Sequence, residues 1–116
     1  MKILSVLTFP PGSFDDHPTS DDMEKMSAFA GRLIADGVLL HTGGRSPGML
    51  ELVVDRKSGA STVTDGPFTE AKELVGGYAL LEVRDRAHAI EVTDRFLELI
   101  GKDASCHLHE IETNDG

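Results

Sequence analysis

The sequence has no tryptophan, a single tyrosine, a single cysteine and no surplus of positive charge. Each shortage removes a class of protein. One cysteine, Cys106, cannot close an internal disulfide, so the fold must hold without covalent staples, as expected in a reducing cytoplasm. Asp and Glu outnumber Lys and Arg by 20 to 11, for a formal net charge of -9. With no Lys/Arg cluster to interrupt that field, neither nucleic acid nor an anionic membrane surface is an expected partner. No apolar run approaches the ~20 residues that span a bilayer. The apolar opening from Ile3 to Leu7 stops at Thr8 and Pro10 with no small-residue cleavage site, so a signal peptide is not expected. Cysteine pairs for zinc or iron-sulfur, a glycine-rich phosphate loop before a helix and a nucleophile-elbow serine are all missing, and no cofactor is expected.

What is present is ordinary for a globular chain: 116 residues, 40% hydrophobic and 27% charged, the size of one domain covering 1–116. Residues 2 to 8 are apolar and β-prone, and Phe9-Pro10-Pro11-Gly12 ends them. Thr19 or Ser20 caps a helix whose first turn carries Asp21, Asp22 and Glu24, the charge a helix N-terminus favours. Met23, Met26, Ala30, Leu33 and Ile34 recur at helical spacing, and Gly37 ends the helix. Val38 to His41 form a short strand, after which Thr42-Gly43-Gly44-Arg45-Ser46-Pro47-Gly48 read as a polar connection. Leu50 to Val54 and Ala60 to Val63 make a hairpin around Asp55 to Gly59. Gly76 to Val83 is a strand apolar on both faces and therefore central. Asp85 caps a second helix with the stripe Ala89, Ile90, Phe96, Leu97 and Ile100, closed by Gly101. His107 to Glu112 is the last strand.

The order β-α-β, hairpin, β-α-β suits a ferredoxin-like α+β protomer with both helices on one sheet face. The other face needs a cover that a chain this size does not contain. Two sheets packed face to face in a homodimer supply it.

The stretch Thr64-Asp65-Gly66-Pro67-Phe68-Thr69-Glu70-Ala71-Lys72-Glu73-Leu74-Val75-Gly76-Gly77-Tyr78 carries the densest chemistry. Mechanically, Gly66 tolerates the backbone that precedes a proline, Asp65 closes a turn and Phe68 plugs the end of the core. Chemically, it sets the carboxylates Asp65 and Glu70 beside Lys72, next to glycines that let backbone approach a ligand. A buried carboxylate would serve as general base, and Lys72 would hold an anion or enolate. Glu70, Lys72 and Glu73 would equally make solvated pairs of little energetic consequence. Arg45 offers a planar fork to a carboxylate or phosphate, against the plain alternative of an exposed arginine. Tyr78, if buried, needs a partner for its hydroxyl, either backbone at a dimer interface or a ligand. His107 and His109 share a strand face, but a third metal ligand is missing and His41 would have to come from another strand, so no metal site is expected.

Asp65-Gly66-Pro67-Phe68, followed by Thr69-Glu70-Ala71-Lys72-Glu73 and Gly76-Gly77-Tyr78, resembles the DGPF branch of the YCII-related family. The resemblance runs nearly end to end and is most specific from Val63 to Val83. It implies a dimeric α+β barrel of ferredoxin-like protomers with a cleft between sheet and partner, and no known reaction. In a better-described branch a histidine of the first helix and a later aspartate are proposed as a catalytic pair. The helix from Ser20 to Asp36 has no histidine, with Met23 and Met26 in its place, so that dyad does not transfer.

Two functional readings follow. One is a small homodimer that binds a small organic anion in an inter-sheet cleft and performs acid-base chemistry of isomerase or lyase type, with Asp65, Glu70 and Lys72 catalytic and Arg45 and Tyr78 at the ligand. The other is a non-catalytic regulatory or protein-interaction module, since relatives of the branch are often associated with alternative sigma factors. A cofactor-free oxygenase is disfavoured by the 5% aromatic content.

Overall fold

The computed structural model describes residues 1–11, 19–46, 48–66 and 74–114. Among them the chain runs β1 (Lys2–Phe9), α1 (Ser20–Ala35), β2 (Leu39–Gly44), β3 (Leu52–Lys57), β4 (Ala60–Asp65), β5 (Leu74–Glu82), α2 (Arg86–Ile100) and β6 (Ser105–Ile111). This is a mixed α+β architecture in which every strand pairing is antiparallel. Four strands form one sheet in the order β2-β5-β1-β6, and β3-β4 is a separate ribbon.

Local chemistry sets the element ends. Thr19 caps α1 through a reciprocal box: its hydroxyl accepts from the Asp22 N–H at 3.1 Å, and the Asp22 carboxylate accepts from the Thr19 N–H at 3.3 Å. Asp85 caps α2 by accepting from the His88 N–H at 2.8 Å, and Gly101 closes it in the left-handed conformation. The ribbon turns on two residues, Ser58 and Gly59, both at positive φ, the geometry that matches strand twist.

Register assigns the faces. Ile3, Ser5 and Leu7 of β1 stand opposite Leu81, Ala79 and Gly77 of β5, and this side meets Leu33 and Ala30 of α1 and Ala89 of α2. Both helices therefore cover one face. Leu4, Val6, Leu80 and Tyr78 occupy the other face, which no described element covers. The molecule is a slab of 45 × 39 × 20 Å with a radius of gyration of 16.0 Å, against about 13 Å for a compact chain of this length. The ribbon accounts for part of the excess, since every residue of β3 and β4 is exposed.

Some sequence expectations are corrected. Met23, Ile34 and Ile90, assigned to the apolar stripes, are exposed, and Phe29 and Val92 take buried positions instead. Strand β2 does not end at His41 but continues through Thr42, Gly43 and Gly44, because this segment pairs with β5. The segment that looked like a loose glycine-rich connection is thus edge-strand backbone.

Glycines at this point in the sheet serve close approach rather than flexibility. Strand β5 bulges between Gly77, opposite Leu7, and Val75, opposite Thr8. A side chain at Gly76 would collide with the Phe9 ring, and a Cβ at Gly77 would lie 2.6 Å from the Gly43 carbonyl oxygen. The Gly76-Gly77 pair is what lets β2 and Phe9 pack against β5.

Candidate functional site

A cavity of about 810 Å³ lies between the helix-facing side of the sheet and the two helices. Its lining is mainly apolar, with Met26, Phe29 and Leu33 from α1, Phe96 and Ile100 from α2, and Leu7 and Phe9 from β1. One wall is the backbone of β2 and β5 from Gly43 to Ser46 and from Gly76 to Tyr78, which brings Arg45 to the cavity. Its volume suits a small organic molecule.

The polar groups of the cavity are few. Cys106 and Ser5 lie on the helix-facing side of the sheet and share a side-chain hydrogen bond. Burial pushes the Cys106 thiol up from its ordinary value, and the bond to Ser5 opposes that shift in part. A desolvated thiol of this kind is a poor nucleophile. The Thr93 hydroxyl oxygen is buried with no hydrogen-bond partner among the described residues, an atom that a ligand or water could satisfy. Lys102 places its ammonium 4.8 Å from the centre of the Phe9 ring.

Arg45 is fixed at the end of β2. Its N–H donates to the Gly76 carbonyl at 2.9 Å, and its guanidinium lies 3.8 Å from the Glu51 carboxylate and 3.5 Å from the Leu50 carbonyl. The Glu51 carbonyl in turn accepts from the Gly66 N–H at 2.8 Å. Both described ends of the Thr64–Tyr78 stretch therefore attach at the Arg45 locus: Gly66 through Glu51, and Gly76 directly. The guanidinium contacts are long, so donors remain for an anion.

Tyr78 is not buried. It is 39% exposed, and its hydroxyl lies 2.6 Å from His41 Nδ1 rather than on backbone at an interface. The two rings stack with centroids 5.6 Å apart and planes at 25°. The Tyr78 carbonyl accepts from the Thr42 hydroxyl at 2.8 Å. Gly43, directly opposite Tyr78, leaves room for the ring: a Cβ there would sit 2.6 Å from Tyr78 Cε1.

Asp65 is the last residue of β4, exposed and paired with Leu52. Glu70 and Lys72 lie outside the described residues, as does the plug position Phe68. His107 and His109 sit on β6 at one edge of the sheet and His41 on β2 at the other. Among the described residues no group of three or more His, Cys, Asp and Glu could hold a metal ion, and no helix is long and apolar enough to cross a membrane. The residues missed at sequence level are His41, Thr42 and Gly43. The signal for them was alternation: His41 and Gly43 share one strand face, and a glycine opposite an aromatic is a recurrent cross-strand device.

These features define a small α+β domain with one covered sheet face, a cavity beneath the helices and an arginine fixed at the cavity wall. The YCII-related domain model matches residues 1–96, and the chain belongs to that family. A search of curated proteins finds no match.

Proposed function

We propose that the chain is a homodimeric member of the DGPF branch that binds a small organic anion with an apolar body. The observation that carries this reading is the cavity of about 810 Å³ with Arg45 in its wall. An apolar body fits between α1, α2 and the sheet, and its carboxylate meets a guanidinium that can grip it bidentately. Acid-base chemistry of isomerase or lyase type would draw on Asp65, Glu70 and Lys72. The strand order β2-β5-β1-β6 with both helices on one face supports a ferredoxin-like protomer. The uncovered face with Leu4, Val6 and Leu80 supports a dimeric barrel formed by face-to-face sheet packing, in a cytoplasmic protein.

The test is calorimetric binding of aromatic and aliphatic carboxylates against their neutral amides, with Arg45→Ala as the variant. Carboxylates should bind more tightly than amides, and Arg45→Ala should weaken them by about tenfold or more, the loss expected for a hydrogen bond to a charged group. Equal binding of acids and amides, or an Arg45→Ala protein that binds acids as wild type does, would refute the reading.

A second reading, a protein-interaction module associated with an alternative sigma factor, is favoured by the β3-β4 ribbon. Leu52, Val53, Val54 and Val63 are all solvent-exposed there, and an isolated two-stranded ribbon gains little stability alone. Co-purification with a neighbouring sigma factor, abolished by Val63→Asp, would decide for this reading.

A further inference from the structure

The β3-β4 ribbon is the part of the described chain least able to hold its own shape. Every residue of β3 and β4 is exposed, and a two-stranded ribbon standing alone is marginal in water. Its register nevertheless sorts the side chains. Val54 stands directly opposite Val63, and Leu52, two residues along, shares their side. Val54, Val63 and Leu52 are 59%, 60% and 40% exposed. Arg56 and Ser61, the next pair on that side, are joined by a hydrogen bond of 3.0 Å from guanidinium to hydroxyl. On the reverse side Val53 pairs with Thr64, Asp55 with Thr62 and Lys57 with Ala60. The ribbon is thus amphipathic, apolar on one face and mainly polar on the other. Its tip, from Arg56 to Ser61, carries two cations and no carboxylate in a chain of net charge -9.

We propose that the apolar face of the ribbon is a clasp that closes on a second copy of this chain and extends the interface made by the open sheet face. This rests on the reading of the chain as a homodimer. The sheet face by itself is small. Four strands about 4.8 Å apart, paired from Lys2 to Thr8 at about 3.3 Å per residue, present a footprint of roughly 440 Å². A stable complex of standard size buries about 800 Å² on each partner. The ribbon face has a footprint of about 200 Å² by the same spacings. Twofold symmetry counts it twice on each copy, once as the ribbon offered and once as the surface that the partner's ribbon covers, which brings each side to about 800 Å². Charge favours the same occupant, since the cationic tip is attracted by the acidic body of a second copy. Leu52, Val54 and Val63 lose water on docking, and that burial is the stabilisation the ribbon lacks alone.

Sedimentation equilibrium of the full chain is the test, with Val54→Asp and Val63→Asp on the apolar side of the ribbon and Val53→Asp on the reverse side. Wild type should be a dimer. Each apolar-side variant should raise the dimer dissociation constant by about 100-fold or more, because burying one valine is worth on the order of tenfold and symmetry counts every substitution twice. Val53→Asp puts the same charge into the same ribbon and should stay within about fivefold of wild type, the scale of a surface substitution counted twice. Thermal unfolding followed by circular dichroism should show the sheet and helices intact in all three, since the ribbon is a separate sheet. A dimer that Val54→Asp and Val63→Asp leave untouched, or that Val53→Asp weakens as much as they do, would overturn the clasp and leave the sheet-face dimer standing. A wild-type protein that sediments as a monomer would remove the homodimer reading and the clasp with it. If Val63→Asp stayed dimeric but lost a co-purifying protein, the ribbon would belong to that partner, and the clasp would again be overturned.

Discussion

Substituting Gly77 by alanine places a single methyl group where β2 and β5 approach most closely. The added Cβ would lie 2.6 Å from the Gly43 carbonyl oxygen and 3.2 Å from Gly44 Cα. Carbon and carbonyl oxygen rest at about 3.3 Å or more, so the strands must part by about 0.7 Å. Transmitted along the ladder, that stretches the neighbouring Arg45 N–H to Gly76 carbonyl bond from 2.9 Å to roughly 3.6 Å, beyond hydrogen-bond range. One lost hydrogen bond costs about 1 kcal/mol, and overpacking adds roughly 1–3 kcal/mol. The reduced freedom of the unfolded alanine chain offsets about 0.7 kcal/mol. The net is about 2 kcal/mol, a fall in Tm of about 8 °C at about 4 °C per kcal/mol for 116 residues. Gly31→Ala is the control, because Gly31 lies within α1 with nothing within 4 Å of its added Cβ. It should stabilise by roughly 0.5–1 kcal/mol. Thermal and urea unfolding monitored by circular dichroism read both. Should Gly77→Ala stay within about 0.5 kcal/mol of wild type while Gly31→Ala behaves as expected, the close-approach account is wrong.

The remaining expectations are smaller. Thr19→Ala removes one half of the α1 capping box and should cost about 1 kcal/mol in urea unfolding, with Asp85→Ala similar at α2. Leu80→Glu puts a charge in the centre of the uncovered face, and sedimentation should show wild type as a dimer and the variant as a monomer; a dimeric variant would sink the face-to-face arrangement. Cys106 should react slowly with a neutral-pH thiol reagent until urea unfolds the chain. Its folded-state pKa lies above the ordinary 9.0, so its contribution to stability is whole below that value and is lost as pH rises from there through the folded-state pKa. Cys106→Ala should flatten this alkaline decline.

The elements were legible because their signals are local. Thr19, Asp85 and Gly101 mark helix ends by chemistry that acts within one turn, and the apolar faces of β1 and β5 follow period two. The failures have a different origin. Ile34 and Phe29 both suit an apolar helix face, and only the position of α1 over the sheet selects Phe29. Thr42-Gly43-Gly44 looks like a turn until the partner strand is known, because its missing side chains are supplied from β5 by Tyr78. The site suffered in the same way: His41 and Tyr78 are 37 residues apart, and nothing local joins them. Arg45 could be singled out as a lone cation in glycine-rich surroundings, but its tether to Gly76 depends on sheet register.

The Thr64–Tyr78 stretch was open to a mechanical and a chemical interpretation, and the geometry makes these two aspects of one arrangement. Gly76 and Gly77 are structural: one makes room for the Phe9 ring and the other for the Gly43 carbonyl. By admitting β2 so closely, they also fix Arg45 through the Gly76 carbonyl and bring Gly43 under Tyr78. Gly66 acts at the opposite end, holding Glu51 by its carbonyl while the Glu51 carboxylate faces the guanidinium. A substitution that only loosened the corner would therefore displace Arg45 and tilt Tyr78 away from His41. Stability and anion binding should fall together in Gly77→Ala, whereas Arg45→Ala should separate them, removing the guanidinium from a sheet that stays intact.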